Sequence, residues 1–337
     1  MLLFFIGIVI IGEVSLRLFS NDQKEYSDKS IMDEELGWLP KADYSSSYKM
    51  QTHGDNPIEW EVNYETANYG FRTWPDIDSE KPKVLLIGDS FVQAVEVSTD
   101  KTFYSYIADS LDVEIFAFGQ AGYGTLQQKM ILSKYINQID PNLIILQTCD
   151  NDFVDNHAPL EYNSSYKVGL RRPYYDLEGN LVYKKPMASW KEFVDNSKFL
   201  GLLRRKIENA FFKIRGKSSQ DLMAELGDKY QPYSDAQKIT SIVLKEMKKI
   251  AGETPLVAFS ASSYEPQLSA FRKLSESAEI PFYDSIGVKI IEASWHMKKV
   301  FSSDGFHWSE DGHHRVANLL ITDLKESGIT DSLKSES

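Results

Sequence analysis

Gly88-Asp89-Ser90-Phe91 follows directly on the apolar run Val84-Leu85-Leu86-Ile87. A buried strand that ends in Gly-Asp-Ser exposes a serine hydroxyl at the carboxyl edge of a sheet, where open α/β sheets place their chemistry. Serine is a weak nucleophile at neutral pH and needs a base within hydrogen-bond reach. Asp304-Gly305-Phe306-His307 offers one: the His307 imidazole as base, with the Asp304 carboxylate three residues earlier to orient it. Between them in chain order stand Gly122, in Gly119-Gln120-Ala121-Gly122-Tyr123-Gly124, and Asn151, in Asp150-Asn151-Asp152. A residue without Cβ lets backbone N–H groups approach a substrate oxygen, and an asparagine amide adds a side-chain donor. Gly119 and Gly124 compete with Gly122 for that place.

These residues are far apart in sequence and meet only if the fold gathers strand ends. From residue 83 the pattern alternates. Strands are expected at Val84–Ile87, Val113–Phe118, Leu143–Thr148, Pro255–Ser260 and Pro281–Asp284, and helices at Thr102–Leu111, Leu126–Ile139 and 264–279. Such alternation predicts a parallel sheet covered on both faces. Residues 157–235 interrupt the rhythm. Arg171–Lys185 reads as a hairpin around Glu178-Gly179-Asn180, and 190–250 is mostly helical and rich in charge. An insertion beside a catalytic edge suits a substrate lid and a plain surface elaboration equally. Its aromatic stretch, 157–190, would suit sugar stacking.

With 337 residues and 42% hydrophobic content, the chain can build one large domain with appendages. A net charge of −12 without a basic cluster excludes nucleic acid as a partner. The lone Cys149 excludes an internal disulfide and a cysteine zinc site. His313-His314 lacks a His-Glu-x-x-His frame or a third ligand, so both read as solvated helix residues, and no metal is expected. Gly119-x-x-Gly122-x-Gly124 is a dinucleotide fingerprint reversed and on the wrong strand, so no cofactor is expected either. Asp89 reads as a turn residue rather than an acid catalyst, and Cys149 as a small buried thiol.

Met1–Gly12 is strongly apolar. As a helix it reaches only ~18 Å against a hydrocarbon core of ~30 Å. Continuing to Phe19 gives ~28 Å, if Glu13 and Arg17 pair at i,i+4 or snorkel to the interface. A signal peptide is the rival, but there is no basic n-region and no small-x-small cleavage site, so residues 1–20 are expected to be an uncleaved membrane anchor, with a signal segment and a buried amphipathic helix as the alternatives. Residues 21–80 are polar and aromatic with little periodicity. They read as a membrane-proximal segment packed on the main domain, 81–327, with 328–337 as a tail.

The residues and their order resemble the SGNH (GDSL-type) serine hydrolase family, whose name lists Ser, Gly, Asn and His. Gly88-Asp89-Ser90 matches the nucleophile block, Gly122 the second-block glycine, Asn151 in Asn151-Asp152 the third block, and Asp304-x-x-His307 the terminal block. Trp308-Ser309-Glu310-Asp311-Gly312-His313 looks like the helix start that follows the histidine in such enzymes. Asn68-Tyr69-Gly70-Phe71-Arg72 and Arg172-Pro173-Tyr174-Tyr175 look like membrane-anchored bacterial members. The resemblance spans residues 83–325. Two positions depart from the pattern: Cys149 replaces the glycine two before the third-block asparagine, and Ala117 replaces an asparagine of the second strand. Both changes bear on the pocket floor. The α/β-hydrolase alternative fails for want of a Gly-x-Ser-x-Gly elbow.

The resemblance implies a three-layer α/β/α sandwich with a flavodoxin-like parallel sheet. It implies Ser90 as nucleophile, His307 as base and Asp304 as orienting acid, with the N–H groups of Ser90 and Gly122 and the Asn151 amide around the oxyanion. The implied activity is a serine esterase acting on O-acyl esters, acetyl foremost, with an envelope polysaccharide as the carbohydrate substrate. An O-acetyltransferase using the same residues, and a non-catalytic glycan-binding member of an envelope complex, are the alternatives. Anchored relatives imply an extracytoplasmic domain, with secretion as the alternative.

Overall fold

Residues 29–80 contain no long apolar run, yet they form two hairpins. In the computed structural model, which describes residues 7, 9, 11–15, 29–165, 168–184, 197, 199–203, 217–296 and 299–333, β1 (Ser30–Asp33) pairs antiparallel with β2 (Gly37–Pro40). Likewise β3 (Ser45–Gln51) pairs with β4 (Glu59–Glu65). Every second residue of the latter pair turns inward: Ser46, Tyr48 and Met50 on β3, and Trp60, Val62 and Tyr64 on β4. This period of two is the signature of a one-sided sheet, so the expectation of little periodicity is corrected here. Residues 72–73 hydrogen-bond to the later strand that carries Ala117. Arg72 N–H donates to the Ala117 carbonyl (2.8 Å) and Ala117 N–H to the Thr73 carbonyl (3.2 Å).

The main domain begins with β5 (Lys83–Gly88), a single helical turn α1 (Ser90–Gln93), helix α2 (Phe103–Leu111) and β6 (Glu114–Gly119). It continues through α3 (Thr125–Ile139), β7 (Leu143–Thr148) and the short helices α4 (Asp152–Asp155) and α5 (Ala158–Tyr162). The expected hairpin follows as β8 (Arg172–Tyr175) and β9 (Leu181–Lys184), then α6 (Ser219–Leu226) and α7 (Gln231–Ala251). The chain closes with β10 (Leu256–Ser260), α8 (Gln267–Ser277), β11 (Phe282–Tyr283), α9 (Ser285–Trp295) and α10 (Glu310–Glu326).

The five-stranded sheet is parallel throughout, in the order β11-β10-β7-β5-β6. Read from the β6 edge, this is the doubly wound 2-1-3-4-5 order of flavodoxin-like folds. Alternate strand residues serve opposite faces. Val84, Leu86, Ala117, Ile145 and Phe259 join Phe103 and Ile107 of α2 and Val316 and Leu320 of α10. Leu85, Ile87, Phe118, Leu146 and Ala258 join Leu132 and Tyr135 of α3 and Val243 and Met247 of α7. Two apolar layers on one sheet make the three-layer sandwich, which gives five strands a shared carboxyl edge.

The anchor expected over 1–20 falls largely outside the described residues. Of that stretch only 7, 9 and 11–15 are described, and Arg17 is not among them. The Glu13 carboxylate accepts from Ser197 Oγ (2.8 Å) and from the Phe199 N–H (3.0 Å). Among the described residues no helix is long and apolar enough to cross a membrane. Within the insertion, 166, 167, 185–196, 198 and 204–216 also lie outside the described residues.

Candidate active site

Ser90 stands where β5 gives way to α1. Asp89 makes that turn: its Oδ1 accepts from the Phe91 N–H (3.0 Å), and its own N–H donates to Gln147 Oε1 on β7 (3.0 Å). A side-chain acceptor for an early helical N–H is what an N-cap supplies. The helix lasts one turn and ends at Ala94 in the left-handed region. For α1 to lie this low across the sheet, its neighbour on β6 must lack a side chain. A Cβ on Gly119 would stand 2.1 Å from the Gln93 nitrogen, within its backbone. Gly119 is therefore spent on packing. Gly124 is likewise accounted for, as the N-cap of α3. Asp89 is fully buried, which pushes its carboxyl up to about 6.

His307 and Asp304 sit in the connection between α9 and α10, so a helix separates them from the last strand. The connection folds on itself: Ser302 N–H donates to the His307 carbonyl (2.8 Å), and Gly305 N–H to the Ser302 carbonyl (2.9 Å). Asp304 Oδ1 accepts from the N–H groups of Phe306 (2.9 Å) and His307 (3.0 Å) and from Ser302 Oγ (3.1 Å). The β3–β4 turn grips the same connection from outside. His53 N–H donates to the Phe301 carbonyl (3.1 Å), and Lys299 Nζ to the Asp55 carbonyl (2.6 Å). Buried Trp308 lies against Phe91 and Phe103, with ring centroids 4.5 and 5.7 Å apart, which ties the connection to α1 and α2.

These supports bring His307 Nε2 to 2.7 Å from Ser90 Oγ and His307 Nδ1 to 2.5 Å from Asp304 Oδ2. A carboxylate at Nδ1 keeps a proton there and leaves the Nε2 lone pair to accept from the serine hydroxyl. Burial pulls the imidazole down, but the Glu96 charge and the Asp304 hydrogen bond outweigh it and push it up to about 9. Partial burial raises Asp304, and the His307 hydrogen bond and charge overcome that, holding its carboxyl well below the usual carboxylate range. Glu96 lies buried just beyond α1, with its Oε1 3.5 Å from His307 Nδ1. Burial raises its carboxyl above the usual range, and the His307 charge offsets only part of that.

Glu96 had escaped sequence reasoning. Its only signal is a charge between two apolar residues in Val95-Glu96-Val97. Among the described residues, Glu96, Asp304 and His307 also bring donor atoms within 4.8 Å of one another, close enough to hold a cation. His307 Nδ1 and Asp304 Oδ2 are already hydrogen-bonded to each other.

Because β6 and β7 flank β5, the loops that follow them flank Ser90. Gly122 turns the first of these loops with φ +76°, in the left-handed region that favours glycine. The amides on either side of it are taken: Ala121 N–H by Gln93 Oε1 (2.9 Å) and Tyr123 N–H by the Gln120 carbonyl (3.1 Å). Asn151 heads the second loop, and its Nδ2 donates to Asp155 Oδ2 (2.8 Å). One amide hydrogen of Asn151 is thereby engaged by Asp155. Arg172 was also missed as a site residue. It stands fully buried on β8 and reaches the Gly122 carbonyl with Nη2 and Asp155 Oδ1 with Nη1 (2.7 Å).

One expectation is overturned. His313 is not solvated: it is 1% exposed, its Nδ1 accepts from the Phe103 N–H (3.2 Å), and its ring stacks on Phe103. Burial pulls its imidazole down to about 3. His314 is exposed, as read. Cys149 is a buried thiol whose ionisation burial opposes. Ala117 lies on β6, in the core layer that this face of the sheet shares with α2 and α10.

A sequence model of the GDSL-like lipase/acylhydrolase family matches residues 84–320. The chain belongs to this family. It is a serine hydrolase of the esterase and acylhydrolase kind. Solved structures similar to this hydrolase include the psychrotrophic esterase EstA from Pseudoalteromonas sp., 11% identical over 73% of this chain and 97% of that one, with a TM-score of 0.42. A lipase/acylhydrolase from Enterococcus faecalis is 12% identical over 73% and 96%, with a TM-score of 0.41. The acetylxylan esterase Axe2 from Geobacillus stearothermophilus is 12% identical over 73% and 94%, with a TM-score of 0.39. No curated protein matches.

Proposed function

We propose that this hydrolase cleaves O-acyl esters through an acyl-enzyme on Ser90. The observation that carries the proposal is the continuous chain from Ser90 Oγ through His307 (2.7 Å) to Asp304 (2.5 Å). In the first half-reaction His307 Nε2 takes the hydroxyl proton as Oγ bonds to the ester carbonyl carbon. The carbonyl oxygen becomes an oxyanion, held by the N–H groups of Ser90 and Gly122 and the Asn151 amide. Asp304 keeps the proton on Nδ1 and stabilises the imidazolium. The tetrahedral intermediate then collapses. The C–O bond to the alcohol breaks, and His307 returns its proton to the departing alkoxide.

In the second half-reaction a water gives its proton to His307 and attacks the acyl carbon. Collapse expels Ser90, which recovers the proton, and a carboxylic acid leaves. The acyl group we propose is acetyl and the substrate an envelope polysaccharide. This narrower reading is supported by the apolar segment at residues 1–19, as a tether that would hold an extracytoplasmic domain beside its polymer.

The test is release of acetate from p-nitrophenyl acetate by the full chain, wild type against Ser90→Ala. Activity abolished by the substitution supports the acyl-enzyme. Equal background rates in both would sink hydrolysis and turn attention to acyl transfer onto a sugar hydroxyl.

A further inference from the structure

Arg172 touches both loops beside the proposed nucleophile, and it comes from neither. It rises from β8 in the insertion and is fully buried. Its Nη2 donates to the Gly122 carbonyl and to Gln127 Oε1 (2.5 Å), and Gln127 Oε1 also accepts from the Gly124 N–H (3.3 Å). Its Nη1 donates to Asp155 Oδ1 (2.7 Å) and Glu161 Oε2 (3.2 Å). The other oxygen of Asp155 holds the Asn151 amide. One planar guanidinium thus fixes the peptide after Gly122 on one side and, through a single carboxylate, the Asn151 side chain on the other.

The surroundings lock the fork itself. Tyr174 Oη donates to Glu161 Oε2 (2.5 Å), and the Trp38 ring lies 5.0 Å from the guanidinium carbon. A buried cation with this many acceptors is an expensive feature for a surface hairpin to carry, unless the acceptors themselves must be held in place. Arginine is the side chain whose donors diverge in a fixed plane, whereas lysine presents one point charge.

We infer that Arg172 is the positioning residue of the oxyanion site: it sets the orientation of Gly122 and Asn151 together, so that the insertion completes the catalytic edge. This inference rests on the proposed roles of Gly122 and Asn151. A donor misplaced by a fraction of an ångström stabilises an oxyanion poorly while ground-state binding survives, so the loss belongs in kcat.

The experiment is a set of steady-state measurements on the full chain with p-nitrophenyl acetate, using Asn151→Ala, Arg172→Lys, Arg172→Gln and the Asn151→Ala/Arg172→Gln pair. Removing one oxyanion donor lowers kcat by about 100-fold or more. The Arg172 variants are expected to lose roughly 100-fold in kcat with KM changed less than about threefold, and the double variant to be slower than Asn151→Ala, because Gly122 is also released, but by less than the product of the two single losses. Losses that multiply in the double variant, or folded Arg172 variants with wild-type kcat, overturn the inference.

Should Arg172 variants not fold, Asp155→Asn reads the same clamp. It weakens the charge-assisted link, and an unchanged kcat there refutes the clamp. If Asn151→Ala itself keeps full kcat while Ser90→Ala is dead, the oxyanion roles are wrong and the clamp falls with them, although the acyl-enzyme stands.

Discussion

The proposed nucleophile and the proposed base are positioned by opposite strategies. Ser90 is placed locally: β5 delivers it, Asp89 caps the turn one residue before it, and Gly119 across the sheet makes room for α1. His307 stands on an irregular connection whose shape depends on distant residues, with His53 and Asp55 at the β3–β4 turn holding Phe301 and Lys299. A strand-to-helix turn needs few partners because the backbone pattern determines its direction. A connection without secondary structure must have its backbone groups satisfied from elsewhere. Damage near Ser90 should therefore be all-or-none, and damage around His307 graded.

The largest effect expected under this contrast is that of Asp304→Asn. The amide cannot hold the Nδ1 proton and a positive imidazolium in the same way, and kcat should drop by about 10³–10⁴. Some activity surviving through Glu96 would show that the base side is buffered. Gly119→Ala comes next. Its methyl meets the backbone of Gln93 at 2.1 Å, so α1 must move. Overpacking of this kind costs about 1–3 kcal/mol, read as a lower melting temperature together with a kcat collapse. An intact kcat would show that the nucleophile turn is more tolerant than the contrast requires.

Glu96→Gln tests electrostatics without touching the nucleophile. The base must be neutral to accept a proton, and His307 is pushed up to about 9. The wild-type kcat/KM should therefore rise with pH toward 9, and removing the Glu96 charge should move that limb to lower pH. Stability carries the opposite sign. A raised imidazole contributes fully below its usual value near 6.5 and loses that contribution as pH rises through about 9. Melting temperature followed from pH 6 to 10 should show this decline, blunted in Glu96→Gln. The smallest effect is expected from Lys299→Ala. It removes two exposed contacts, to the His53 and Asp55 carbonyls, and should cost only a few-fold in kcat, measured at saturating substrate.

What was legible in the sequence follows the same division. Ser90 and Asp89 could be read from an apolar run ending in a turn, and the parallel sheet from strands recurring between helices. Asp304 and His307 could be read because they are three residues apart. Glu96 and Arg172 could not, since nothing near them in sequence announces that His307 or Gly122 lies against them. His313 was misjudged although the cue was present: it precedes Val316, Ala317 and Leu320 on the buried stripe of α10, and a stripe position outweighs residue type. The hairpins of residues 29–65 were missed because polar and charged residues fill the alternate positions, so no apolar run marks the strands.

The grip of residues 53 and 55 on the His307 connection has an evolutionary corollary. The stretch that carries the family signature, 84–320, starts after those residues, after Trp38 and after the strand-like pair at 72–73. The family signature and the scaffold around the proposed site therefore have different borders. A recombination event that transplanted only the signature stretch would carry every proposed reacting group and leave behind contacts that hold the connection bearing two of them.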